Sequence, residues 1–202
     1  AIGFTTAGVG KIFDPRGVDR KSDAPSWSIP FVKPHQLSYP KSFGPPKLGD
    51  YQNEEIKANI NAFIKKNGLS RNGNLSEALK NKYKPPVSFS NKPDQAYADG
   101  IIAAKAVDMI DDLSKDSKSP FFLAVGFRKP HLPFAAPKEF WKIYDEMEFE
   151  KSAFDNATIS GDSIVYMWSE LASYRPFSNS YQSSSYRDKK ILNEQALELK
   201  KG

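Results

Sequence analysis

Residues Ser119 to Tyr144, SPFFLAVGFRKPHLPFAAPKEFWKIY, constrain the fold of this chain more than any other segment. From Phe121 to Phe127 no charge and no polar side chain interrupts the run. That pattern suits a strand buried on both faces of a parallel sheet. The run stops at Arg128-Lys129-Pro130-His131, and a Pro-rich turn follows. Pro137 then suits the first turn of a helix holding Phe140, Trp141 and Tyr144. Parallel strands deliver functional groups at their carboxyl ends. His131, one of only two histidines in the chain, would lie there.

The segment just before it supplies the other half of an α/β unit. Tyr97 to Leu113 predicts a helix whose apolar stripe is Ile101, Ile102, Ala106, Met109, Ile110 and Leu113. Asp108, Asp111 and Asp112 fall mostly opposite that stripe, on a solvated face rather than in a cation-binding loop. A second helix is expected over Glu54 to Lys66, with Ile56, Ile60, Phe63 and Ile64 at helical spacing and Asn67-Gly68 as its stop. Residues 14 to 50 are dense in proline yet carry Trp27, Phe31, Tyr39 and Phe43. Flexible linkers rarely hold so many aromatics, so this stretch reads as ordered loop and short extended pieces draped over a core. Residues 67 to 94 read as polar loop with a short helix around Leu75 to Tyr83, and Arg187 to Leu199 as a terminal helix. The glycines at 3, 8 and 10 match neither GxGxxG nor a P-loop. These elements predict an α/β fold with a mostly parallel or mixed sheet, flanking helices and many long loops.

Composition narrows the function classes. At 202 residues the chain fits a single domain or domain fragment over 1–202. Its formal charge of +5, from 29 basic and 24 acidic residues, is scattered and forms no nucleic-acid module. No cysteine is present, which excludes disulfides, thiolate metal sites and a cysteine-derived nucleophile within this chain. The longest apolar run is far short of a membrane span. The opening AIGFTTAGVG lacks a basic n-region and a long h-region, so it reads as a chain entered partway through a fold rather than as a signal peptide. Asn74 and Asn156 stand in Asn-x-Ser/Thr triplets, acceptors for glycosylation in a secreted eukaryotic protein.

FFLAVGFRKPHLPFAAPKEFWKIY resembles a segment of the sulfatases, specifically the iduronate-2-sulfatase-like branch. GFTTAGVGKIFDP resembles that branch's Gly-Lys landmark, and DAPSWSIPF and YADGIIAAKAVDMIDDL continue the order. The likeness covers residues 1–145 with interruptions, leaving 146–202 as a divergent tail. It implies part of an alkaline-phosphatase-like fold and a hydrolase of sulfate esters, with a sulfated glycan or a small ester as substrate. Lys11 matches the family's sulfate-contacting lysine, and His131 the catalytic histidine that bonds sulfate and assists the leaving oxygen. Lys129 and Arg128 would add positive potential. Asp14 stands where the family places a histidine, and a carboxylate there repels sulfate.

The resemblance also implies calcium and a formylglycine made within Cys-x-Pro-x-Arg. That motif, the paired aspartates and Asp-His-Gly are absent, so the chain resembles an internal slice of a sulfatase domain, with no metal ligands or cofactor of its own. Remaining portions of the same domain would be its partners, and a secreted, periplasmic or lysosomal location is expected. The alternative is a catalytically inactive pseudoenzyme that serves as a binding or structural subunit. From the residues alone, His131 also reads as a loop histidine bound to a backbone carbonyl, Lys11 as a solvated lysine and His35 as structural or exposed.

Overall fold

A computed structural model describes residues 3–14, 23–48, 50–69, 84–115, 119–150 and 174. The chain divides into two compact units, Ala1–Gly49 with Lys92–Pro130, and Asp50–Asn91 with His131–Gly202.

In the first unit, β1 (Thr5–Gly10) pairs in parallel with β3 (Phe121–Gly126), placing Thr5 opposite Phe121 and Gly10 opposite Gly126. Val32 bridges Val9 in parallel on the other edge of β1, where its N–H donates to Gly8 O at 2.9 Å. With neighbours on both edges, β1 buries Ala7 and Val9 completely. They pack against Ile102, Ala106, Met109 and Leu113 of α2 (Ala98–Ser114). The helix therefore follows its predicted stripe, except that Ile110 is exposed. On the loop side, Phe13, Trp27 and Phe31 form an edge-on and tilted aromatic cluster with ring separations of 5.6–6.2 Å. Thr6 anchors that loop: its hydroxyl donates to Ser26 O at 2.7 Å and accepts from Ser28 N–H at 2.8 Å. The Pro-rich segment is thus ordered over residues 23–48, with short 3-10 turns at Ala24–Ser26 and Pro34–Gln36.

One expectation needs correction here. β3 is not buried on both faces. Phe121, Leu123 and Val125 are half-buried against the α2 core, but Phe122 on the opposite face is 55% exposed. Among the described residues α2 covers one face of β3, and its named strand partner is β1 alone.

In the second unit, α1 (Glu54–Lys66) matches its predicted bounds because its end signals are explicit. The Asn53 side chain accepts from Ile56 N–H at 3.1 Å. Glutamates occupy the first turn and lysines the last, complementing the helix dipole. Ile60 is its fully buried contact. β2 (Val87–Ser90) and β4 (Phe134–Pro137) form a parallel pair, with Val87 opposite Phe134 and Ser90 opposite Pro137. Both strands fall where the sequence reads as polar loop or Pro-rich turn. Four residues carry too short a period to register, and tertiary pairing makes them strands. Pro137 consequently ends β4 and N-caps α3 (Lys138–Lys142) instead of entering the first turn of a longer helix. Trp141 is buried on α3 with its ring 5.8 Å from Phe89, whereas Phe140 and Tyr144 are exposed.

Tyr51 is buried in the same unit, and its hydroxyl donates to Pro85 O at 2.7 Å. Burial, reinforced by Tyr174 and Asp50, pushes its phenol well above the ordinary tyrosine value.

Among the described residues the architecture is an α/β arrangement with two small parallel sheets flanked by helices, where a single mostly parallel or mixed sheet was expected. The helices predicted around 75–83 and over 187–199, and the triplets at Asn74 and Asn156, lie outside the described residues. Among the described residues no helix is long and apolar enough to cross a membrane.

Candidate functional site

The carboxyl ends of β1 and β3 come together through two glycines. Gly10 has φ +92°, a region that L side chains rarely adopt, and a Cβ there would collide with the Gly126 carbonyl oxygen. A Cβ on Gly126 would in turn meet the Lys11 backbone. This close approach lets Lys11 N–H donate to Gly126 O at 2.7 Å. Lys11 itself is exposed just past the end of β1, and Asp14 is exposed a few residues later.

Arg128 and Lys129 follow the end of β3 and are fixed by one carboxylate. Asp99, in the first turn of α2, accepts from Arg128 N–H at 2.7 Å on Oδ1 and from Lys129 N–H at 2.9 Å on Oδ2. Sequence reasoning missed Asp99 and considered only the aspartates further along the helix. Its faint signal was an acidic residue in a helix's first turn, where the dipole favours a negative charge. The later aspartates, Asp108, Asp111 and Asp112, are exposed. Lys115 hydrogen-bonds Asp112 at 2.7 Å and lowers its carboxyl below the usual range.

His131 comes after the Arg128-Lys129-Pro130 turn that follows β3. That strand stops at Gly126, and His131 opens the second unit ahead of β4. Lys129-Pro130 and Leu132-Pro133 are both cis. The His131 ring is exposed, with Nδ1 2.6 Å from Leu132 O. A carbonyl oxygen can only accept, so Nδ1 carries the proton, and the neutral ring presents Nε2 as an acceptor. For Nε2 to donate to a leaving oxygen, the ring must be imidazolium.

The structure thus gathers Lys11, Arg128 and Lys129 at one strand end of the first unit and holds His131 in the second. Calcium would require a cluster of carboxylates, and among the described residues no group of three or more His, Cys, Asp or Glu side chains could hold a metal ion. The described residues therefore do not fit a metal centre.

Against known proteins, the chain is 32% identical to mouse iduronate 2-sulfatase over 145 residues, which is 70% of this chain and 21% of that protein. It is 29% identical to the human iduronate 2-sulfatase over 178 residues, 87% of this chain and 26% of that protein. This is distant sulfatase homology over part of the chain. A match covering 87% of the chain takes in part of residues 146–202 from whichever end it starts. The chain spans about a fifth to a quarter of the length of these curated relatives. No protein-family model matches it.

Proposed function

We propose that this chain is a portion of a sulfatase-like hydrolase of sulfate esters, contributing Lys11, Lys129 and His131 to sulfate recognition. The observation that carries this reading is the identity to two iduronate 2-sulfatases over most of the chain. The strand-end geometry supports it, because Lys11 and Lys129 both follow carboxyl ends of paired parallel strands. In this reading Lys11 is a point-charge clamp on the sulfate, and His131 as imidazolium donates to the bridging oxygen as it becomes an alcohol. Preorganised cations and donors stabilise charge developing on the sulfuryl oxygens.

In this reading the nucleophile and metal ligands come from other portions of the same domain, since this chain has neither a cysteine nor an Asp-His-Gly motif. Residues 1–145 are the core of the sulfatase-like portion, within an alkaline-phosphatase-like fold and a secreted or lysosomal setting. The mass of the polypeptide at its source, with sequencing past both ends, tests whether Cys-x-Pro-x-Arg and Asp-His-Gly accompany it. For the residues, titration of the chain with inorganic sulfate is decisive. Lys11→Ala and His131→Gln should each weaken binding by about tenfold. Affinity unchanged in both variants would sink the assignment.

Asp14 favours a second reading, a catalytically silent binding or structural subunit, because it replaces a sulfate donor with an exposed carboxylate. Sulfate release from an aryl sulfate by the purified chain would exclude that reading.

A further inference from the structure

Helix α1 stops on an Asn-Gly pair, Asn67-Gly68, in which a side-chain amide and a backbone nitrogen lie within reach of one ring closure. Among the described residues Asn67 is the one asparagine that a glycine follows, since Asn53, Asn59, Asn61 and Asn91 precede larger residues. Asn67 and Gly68 are both exposed. Gly68 has φ +59°, and nothing lies within 4 Å of the place a Cβ would take. No side chain of its own screens the Gly68 nitrogen, and no neighbour fills that place. The nitrogen is also loosely held, because its N–H reaches Lys65 O at 3.4 Å, beyond the ordinary range. The Asn67 side chain, by contrast, carries the helix stop. Its Nδ2 donates to Phe63 O at 2.8 Å, and its backbone N–H donates to the same oxygen at 3.1 Å.

We propose that Asn67-Gly68 is a self-modification site that deamidates in the folded chain and thereby releases the end of α1. Hydroxide takes the proton of the Gly68 amide, and the nitrogen forms a bond to Asn67 Cγ. The Cγ–Nδ2 bond breaks, and Nδ2 takes a proton from water and leaves as ammonia. Water then opens the resulting succinimide at either carbonyl. Breaking the bond to Cγ leaves aspartate, and breaking the bond to the backbone carbonyl carbon leaves isoaspartate. Water is consumed, ammonia is released, and nothing is oxidised or reduced. The Asn67 ψ of 7° must change for the Gly68 nitrogen to face Cγ. A helix end allows that swing, because its last turn opens at little cost.

The product undoes the cap that held its precursor. A carboxylate at position 67 can only accept, so it meets the Phe63 carbonyl oxygen with no donor to offer. Its negative charge also falls at the negative end of the α1 dipole, which Lys65 and Lys66 complement in the unmodified chain. Isoaspartate further routes the backbone through Cβ and Cγ. That displaces the Leu69 N–H from its bond to Ile64 O at 3.1 Å. The last turn of α1 therefore loosens as the protein ages. The site uses neither Lys11 nor His131, so it stands or falls separately from the sulfatase reading.

The test ages the full 202-residue chain in mildly alkaline buffer, folded and in urea, with an unaged sample digested in parallel. Trypsin cuts after Lys66 and Arg71, so mass spectrometry reads Asn67 apart from the second Asn-Gly pair, Asn72-Gly73. Aspartate and isoaspartate should accumulate at position 67 of the folded chain at least about tenfold faster than at Asn59 and Asn61. Isoaspartyl methyltransferase should methylate the aged chain and not the fresh one. Asn67→Gln keeps an amide but needs a larger ring, and it should stop the reaction at that position. Asn67→Asp carries the product's charge from the start and should speed hydrogen exchange at Leu69 by about threefold with no change of mass on ageing. The proposal is overturned if Asn67 stays intact in the folded chain while it converts in urea, since the helix end then shields it. Conversion at Asn72 alone in the folded chain would overturn it as well. Conversion at position 67 with unchanged exchange at Leu69 would refute the release of α1.

Discussion

The two parallel strand pairs are built on different terms. β1 and β3 run for six residues each, and β1 is covered by α2 on one face and by an aromatic loop on the other. β2 and β4 are four residues long and rely on side-chain anchors around them, Trp141 against Phe89 in particular. Parallel pairing is productive where both faces are packed. The contrast shows in Val9, which is fully buried, and Phe89, which is 39% exposed on β2. Within the first pair the same rule separates β1 from its partner, since Phe122 leaves one face of β3 open.

Mutations can break that contrast. The largest effect is expected at Ile102, fully buried between α2 and β1. Ile102→Ala should cost about 3 kcal/mol in urea unfolding. A loss under about 1 kcal/mol would mean that the α2–β1 core is not what holds this unit.

Asp99→Ala comes next. It leaves two amides at the end of β3 without their acceptor, at a cost of about 2 kcal/mol. Hydrogen exchange at Arg128 and Lys129 should accelerate selectively. Unchanged protection at those two amides would refute the anchoring role.

The smallest effect at neutral pH belongs to the second unit. Tyr51→Phe removes the bond to Pro85 O and should cost about 1 kcal/mol. Its clearer signature is in alkali. The folded chain holds the neutral phenol, whose titration is raised above the unfolded value. The stabilisation is therefore complete below about pH 10 and is lost as pH rises beyond it. The wild-type advantage over Tyr51→Phe should shrink by up to about 1.4 kcal/mol per pH unit above that point. A constant difference through pH 11, about one unit beyond the ordinary value, would contradict the buried phenol.

Local signals accounted for α1 completely, since Asn53, the paired glutamates and lysines, and Asn67-Gly68 mark both ends of one stretch. They also found α2 to within a residue, because its buried stripe repeats over several turns. β2 and β4 escaped, and Phe122 was assigned a burial it does not have, because pairing partners and layers on either side are not encoded in a short run. The site divides similarly. Lys11, Lys129 and His131 stood out by motif, whereas Asp99 depends on contacts distant in sequence.

The sequence by itself determined where α1 and α2 begin and end, to within a residue, and which lysine and histidine resemble those of sulfatases. It did so through caps, periodicity and motif, all of which act within a few residues. Only the tertiary structure decided that β1 is central and β3 open on one face, and that the segment around His131 is shared by two units. The same long-range pairing brought the Arg128 and Lys129 amides to Asp99. The physical reason is that burial and strand pairing depend on neighbours far along the chain, while a cap or a periodic stripe carries its own partners.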